Sequence, residues 1–121
     1  MPALNYQERF APKVESGEKR NTIRPRRKRE IKPGDTLYHY TGMRTKRCRK
    51  LRTAVCLSVT KTTIASDHVS KYALKEFGLF IWVPAQLKRF AREDGFDSWK
   101  EMRDWFDKKY GLPFEGVLIT W

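Results

Sequence analysis

The apolar positions of this chain fall into short runs with two different periods. Leu51, Thr53, Val55, Leu57 and Val59 alternate with Arg52, Ala54, Cys56, Ser58 and Thr60, and a period of two over that length predicts a strand. Thr36–Thr41 reads as another strand, preceded by the turn Lys32-Pro33-Gly34-Asp35 and stopped by Gly42. Phe80-Ile81-Trp82-Val83 is a short apolar strand ending at Pro84, and residues 117–121 form a terminal one after Gly116. Helical spacing governs the rest. Tyr6, Phe10 and Val14 recur every fourth residue, and Pro12 with Gly17 marks a short helix over about residues 11–16. Leu87, Phe90 and Ala91 predict a helix over about residues 84–94, stopped by Gly95. Trp99, Met102, Phe106 and Tyr110 form a further helical stripe, opened by the capping-box pair Ser98 and Glu101. That stripe, with Trp105, reads as core.

These elements predict one α+β domain over residues 1–121. It comprises a small, mostly antiparallel sheet or barrel, with two helices inserted before the last strand. No repeat, low-complexity run or linker interrupts it.

Charge changes the picture. The net charge is +12, and it is uneven: residues 1–60 carry 16 basic and 5 acidic side chains, residues 61–121 carry 10 and 9. A one-sided basic field attracts polyanions, of which nucleic acid is the usual one. The plainer alternative is a solvated surface. Arg26, Arg27, Lys28 and Arg29 form an exposed loop, and Arg44, Lys46 and Arg47 lie at the tip of a long hairpin. Both clusters are candidates for RNA phosphates. Tyr38 and Tyr40 share a strand face beside these loops, where they could stack a base or pack the hairpin.

Two cysteines make neither a disulfide framework nor a zinc site. Cys56 reads as a small buried hydrophobe and Cys48 as a loop residue among cations. His39 and His68 stand alone, so no metal or cofactor is expected. The chain shows no apolar signal core and no run of membrane-spanning length. A soluble, cytoplasmic and monomeric protein is expected, with a nucleoside or RNA ligand and no membrane partner.

The densest chemistry lies in Ser16-Gly17-Glu18-Lys19-Arg20-Asn21-Thr22-Ile23-Arg24. Gly17 permits a tight turn, and Lys19 and Thr22 follow it closely enough for their side chains to meet. An uncharged Lys19 could take the Thr22 proton and make it a nucleophile. The same two groups could instead hold the turn and bind a phosphate or base. Arg24 could bind substrate or order a carboxylate, and Asn21 belongs to the same candidate binding set.

The pattern Gly17-x-Lys19-x-x-Thr22-x-Arg24, followed by Ile31-Lys32-Pro33-Gly34-Asp35, resembles the signature of the ASCH family. The stretch Phe90-Ala91-Arg92-Glu93-Asp94-Gly95-Phe96-Asp97-Ser98 and the strand Gly116-Val117-Leu118-Ile119 resemble that family's second half. The likeness runs from about Phe10 to Trp121. It implies a PUA-like β-barrel with helices packed outside. Small bacterial members are N4-acetylcytidine amidohydrolases, and others are RNA-binding or RNA-cleaving proteins. The enzyme resemblance puts Lys19 and Thr22 in the catalytic set, with a carboxylate at Asp94 or its neighbour Glu93. The family enzymes carry glutamate there, and aspartate is one methylene shorter.

Overall fold

Two sheets meet where the chain bends at Cys56. In the computed structural model, which describes residues 3–66, 69–72, 79–81 and 84–121, β1 (Ala3–Tyr6) leads through α1 (Ala11–Ser16) to β2 (Asn21–Arg24). The long hairpin is β3 (Thr36–Thr41) with β4 (Arg49–Val55), and β1 adds parallel to β3 at its other edge. The second sheet has the order β2, β8 (Phe114–Thr120), β5 (Ser58–Ile64), β6 (Val69–Tyr72), β7 (Leu79–Ile81), with every neighbouring pair antiparallel. Between β7 and β8 lie α2 (Pro84–Glu93) and α3 (Trp99–Tyr110). The fold is therefore α+β, with two antiparallel-rich sheets and three helices among the described residues. Its described strands form two separate sheets rather than one closed ring.

The single strand expected over residues 51–60 is two strands in different sheets. Alternation continues through the junction, but the hydrogen bonds change partner there. Cys56 donates to Asp35 O at 2.8 Å and Leu57 to Thr120 O at 2.7 Å. The apolar alternation of the sequence is not the burial pattern there, since Val55 and Leu57 are exposed and Cys56 is buried, so periodicity could not reveal the break. β1 was hidden differently. Tyr6 fits the helical spacing of Phe10 and Val14, yet it ends a strand whose Leu4 and Tyr6 are buried while Asn5 is exposed. The four residues of β6 carry too short a pattern to register. The expected strand at Phe80 corresponds to β7, while Trp82, Val83 and His68 lie outside the described residues.

His39 sits in the core between the sheets, fully buried. Tyr6 Oη and His39 Nδ1 are 3.0 Å apart, and the His39 and Trp121 rings lie 4.3 Å centre to centre. Burial, with Arg24 and Arg52 contributing further, pushes the His39 pKa down from 6.5 to about 4. A lowered basic pKa means that the unfolded state binds the proton first. The stability from neutral His39 is complete above pH 6.5 and is lost as the pH falls towards 4. Urea unfolding between pH 7 and 4 should show a loss of about 3 kcal/mol, absent from His39→Gln.

A second packing centre is aromatic. Phe10 and Phe96 (5.2 Å), Phe96 and Trp105 (5.7 Å), Phe106 and Phe114 (5.4 Å) and Tyr110 and Phe114 (4.4 Å) join α1, the turn after α2, α3 and β8. Ser98 caps α3 by accepting from Glu101 N at 3.1 Å, as the sequence predicts. Within the stripe Met102 and Phe106 are buried, but Tyr110 is exposed. Among the described residues no helix is long and apolar enough to cross a membrane.

Candidate active site

α1 ends at Gly17, whose φ of 84° is the left-handed conformation its turn needs. The chain folds back so that Lys19 N donates to Lys13 O at 2.9 Å, and the Lys19 side chain runs inward to 3% exposure. It meets the C-terminal end of α2. Lys19 Nζ donates to Asp94 Oδ1 at 2.7 Å and to Asp94 O at 2.5 Å, while Lys13 Nζ donates to Gly95 O at 3.2 Å. The free carbonyls of a helix C-terminus favour cations. They disfavour the Asp94 carboxylate, and Lys19 offsets that conflict. Asp94 is itself 4% exposed.

Gly95 makes this approach possible. Its φ is +97°, and a Cβ there would lie 2.8 Å from Phe10 Cδ1 and 3.5 Å from Lys19 Cδ. Gly95→Ala should therefore cost about 1–3 kcal/mol, read by urea unfolding, and should lower any activity of the site with it.

Thr22 and Arg24 lie two apart on β2, so their side chains share a face. Arg24 Nε donates to Thr22 Oγ1 at 3.1 Å and Nη2 to Asn5 O at 2.7 Å, with the guanidinium 4.7 Å above the Tyr6 ring. Thr22 Oγ1 thus accepts a charge-assisted bond and keeps its own proton to give. Gly116 on β8 lets the strands close here, since a Cβ would meet Arg24 O at 2.5 Å.

Lys19, Thr22, Arg24 and Asp94 all line one narrow recess, walled by Tyr6, Phe10, Trp105, Lys109 and Tyr110. Its cavity volume is about 50 Å³. With its open mouth counted, the free space is about 420 Å³. Burial pushes the Lys19 pKa down and the Asp94 pKa up, each against the pull of the other's charge. The two groups are thereby drawn towards one another in proton affinity. Lys109 is also shifted down, by burial and then by Arg24. Its Nζ lies 4.7 Å from the Trp105 ring centre.

No protein-family model, curated protein or solved structure matches the chain.

The structure brings together Lys19, Thr22, Arg24 and Asp94 from the candidates read in the sequence. It does not join Lys19 to Thr22 directly: no hydrogen bond links them, because Lys19 precedes β2 and reaches for α2. Arg24 bonds Thr22 and Asn5 rather than Asp94. Glu93 is not part of the recess. It is exposed on the outer face of α2 and pairs with Arg89 at 3.1 Å. Asn21 does not line it either; its Oδ1 is buried without a hydrogen-bond partner among the described residues. Tyr38 and Tyr40 stand on the outer face of β3, away from the recess, with Lys50 Nζ 5.2 Å from the Tyr38 ring centre.

The basic candidates are all exposed. Arg26 pairs with Glu30 at 2.6 Å, while among the described residues Arg27, Lys28 and Arg29 have no such partner. Arg44, Lys46 and Arg47 lie in the tight β3–β4 turn, where Arg44 adopts a φ of 64°. Tyr6, Trp105, Lys109 and Tyr110 were missed as site residues. Trp105 and Lys109 are one helical turn apart, but that spacing also describes a core stripe. Among the described residues no three His, Cys, Asp or Glu side chains form a group that could hold a metal ion.

Proposed function

We propose that the protein is an ASCH-type, PUA-like amidohydrolase, soluble and cytoplasmic, that removes the acyl group from N4-acylated cytosine or cytidine. One observation carries this reading: the buried Lys19–Asp94 pair opens onto the same recess as Thr22 Oγ1, which Arg24 polarises. The narrow inner space suits an acyl amide, and the aromatic mouth suits the flat face of a pyrimidine.

The steps use protein groups and water. With the shared proton on Asp94, the neutral Lys19 amine takes the Thr22 hydroxyl proton. Thr22 Oγ1 bonds to the acyl carbon, and the oxyanion faces the cationic side of the recess. As the carbon–N4 bond breaks, the Asp94 proton passes to the leaving N4. Water then attacks the acyl-threonine ester and gives its proton to Asp94. Lys19 returns a proton to the departing Thr22 oxygen, which restores the starting state. One water is consumed, and a carboxylic acid and a free cytosine amine are released. Lys19 and Thr22 come into contact only with substrate bound, as catalytic hydrogen bonds often do.

Incubating the pure, folded protein with N4-acetylcytidine tests this. Cytidine and acetate should appear in equal amounts, and no release over background would end the proposal. A second reading, binding of a base without chemistry, is favoured by the missing Lys19–Thr22 bond. It predicts saturable binding with the acyl group intact.

A further inference from the structure

A second hollow lies beside the recess. Its rim carries Arg26, Arg27, Glu30 and Lys61, and Val59 and Val117 are among its apolar floor residues. It is larger than the recess, at about 370 Å³ on the measure that gives 50 Å³ there. Thr22 and Arg24 of the recess adjoin the lining of this hollow across paired strands. Arg24 is paired across the strands with Val117 and Thr22 with Ile119, while Lys61 is paired with Val117 and Val59 with Ile119. Directly opposed residues in an antiparallel pair project to the same side. The face therefore runs from the polarised Thr22, through Arg24, to Lys61, a span of three adjacent strands. Neighbouring strands lie about 4.8 Å apart and residues two along a strand about 6.8 Å, so the ends of this track, Thr22 and Lys61, are about 12 Å from one another. That distance suits adjacent nucleotides of an extended chain and exceeds the reach of a free base.

The charge on the rim is unspent. Glu30 is held by Arg26, whose Nε and Nη2 both donate to Glu30 Oε1. Among the described residues the side chains of Arg27 and Lys61 make no ion pair or hydrogen bond, and Lys28 and Arg29 continue the same loop. A cationic rim over an apolar floor matches a phosphate joined to a flat base. A free nucleoside, without phosphate, would leave all of it unused.

We infer that this hollow holds the phosphate and base next to the acylated cytosine, so that the substrate of the recess is an acylcytidine within a single-stranded polynucleotide. Arg27 and Lys61 hold the phosphate. The flat base packs on Val59 and Val117. This deepens the hydrolase proposal and rests on it for the acyl group; the contact between hollow and polynucleotide does not.

The test compares the wild type with Arg27→Ala/Lys61→Ala, whose replaced side chains are exposed and outside the catalytic set. One arm measures kcat/KM on N4-acetylcytidine and on a short single-stranded RNA with one N4-acetylcytidine. The RNA should be the better substrate by about tenfold or more at low salt. The double variant should lose that advantage while nucleoside turnover stays unchanged. Equal turnover of nucleoside and RNA by the wild type, or equal losses on both in the variant, would overturn the inference. A second arm measures binding of the unacetylated RNA, and of DNA of the same sequence, against salt. Losing the contacts to that phosphate should flatten the slope of log K on log salt by about 0.7. Unchanged binding by the variant, or none by the wild type, overturns the hollow even if the nucleoside is hydrolysed. Should neither substrate be hydrolysed, the hydrolase proposal fails and the binding arm still decides the hollow. The DNA sample reads whether the sugar matters.

Discussion

Lys19→Met is expected to abolish turnover of N4-acetylcytidine and to lower the unfolding free energy by about 3–5 kcal/mol. The chemical loss follows from removing the base that takes the Thr22 proton. The stability loss follows from burial. Asp94 is 4% exposed, and without Lys19 its carboxylate would stay in the interior against its own desolvation. Two controls separate these causes. Lys19→Met/Asp94→Leu should regain most of the stability, since an apolar pair often replaces a buried ion pair without loss, and should remain inactive. The single variant should also recover as the pH falls. The Asp94 pKa is raised by burial, so its folded state gains a proton before the unfolded state does. Stability tied to a raised acidic pKa is present at low pH and lost as the pH rises through the folded pKa. The gap between wild type and Lys19→Met should therefore narrow on acidification, measured by urea unfolding at a series of pH values. A gap that widened would show that Asp94 is not the group left uncompensated.

Thr22→Ala should lower kcat/KM by about a thousandfold or more, the scale of losing a nucleophile with its base still in place. Stability should change by only about 1 kcal/mol, because the variant removes one partly buried hydrogen bond from Arg24. Thr22→Ser keeps the oxygen and should retain most of the activity. Rapid quenching during turnover should leave the acyl group as an ester on the peptide containing Thr22. Full activity in Thr22→Ala would mean that water attacks directly and that Thr22 only anchors Arg24.

Much of this was legible from residue patterns. Pro12 and Gly17 bracket α1, whose observed bounds are Ala11–Ser16. Ser98 and Glu101 mark the start of α3. Both are local signals, carried by residues whose backbone or capping chemistry has few alternatives. The sheet-level layout was less legible. The sequence alternates straight through the bend at Cys56, where the backbone changes partners, and β1 pairs with a strand that begins about thirty residues further on. The same divide runs through the site. Thr22 and Arg24 are readable as strand neighbours. The choice of Asp94 over Glu93 depends on where α2 stops, because one residue turns the side chain from the exposed face to the interior. Tyr38 and Tyr40 lie on one strand face as expected, but that face looks away from the recess. Trp105 and Lys109 carry no sign in sequence that their helix borders a hollow.

The Lys19–Asp94 contact links residues 75 positions apart, and β2 is held in place by β8, which lies between β2 and β5. Contacts of such long range are late events in folding, since the chain must first be closed into large loops. During synthesis the basic first half emerges long before either partner exists. A nascent chain can meet polyanions through its loops while Thr22 still has no strand beside it and Lys19 no carboxylate. The active centre is assembled only when β8 slots into the middle of its sheet, so recovery of turnover in a refolding experiment would time the insertion of that strand.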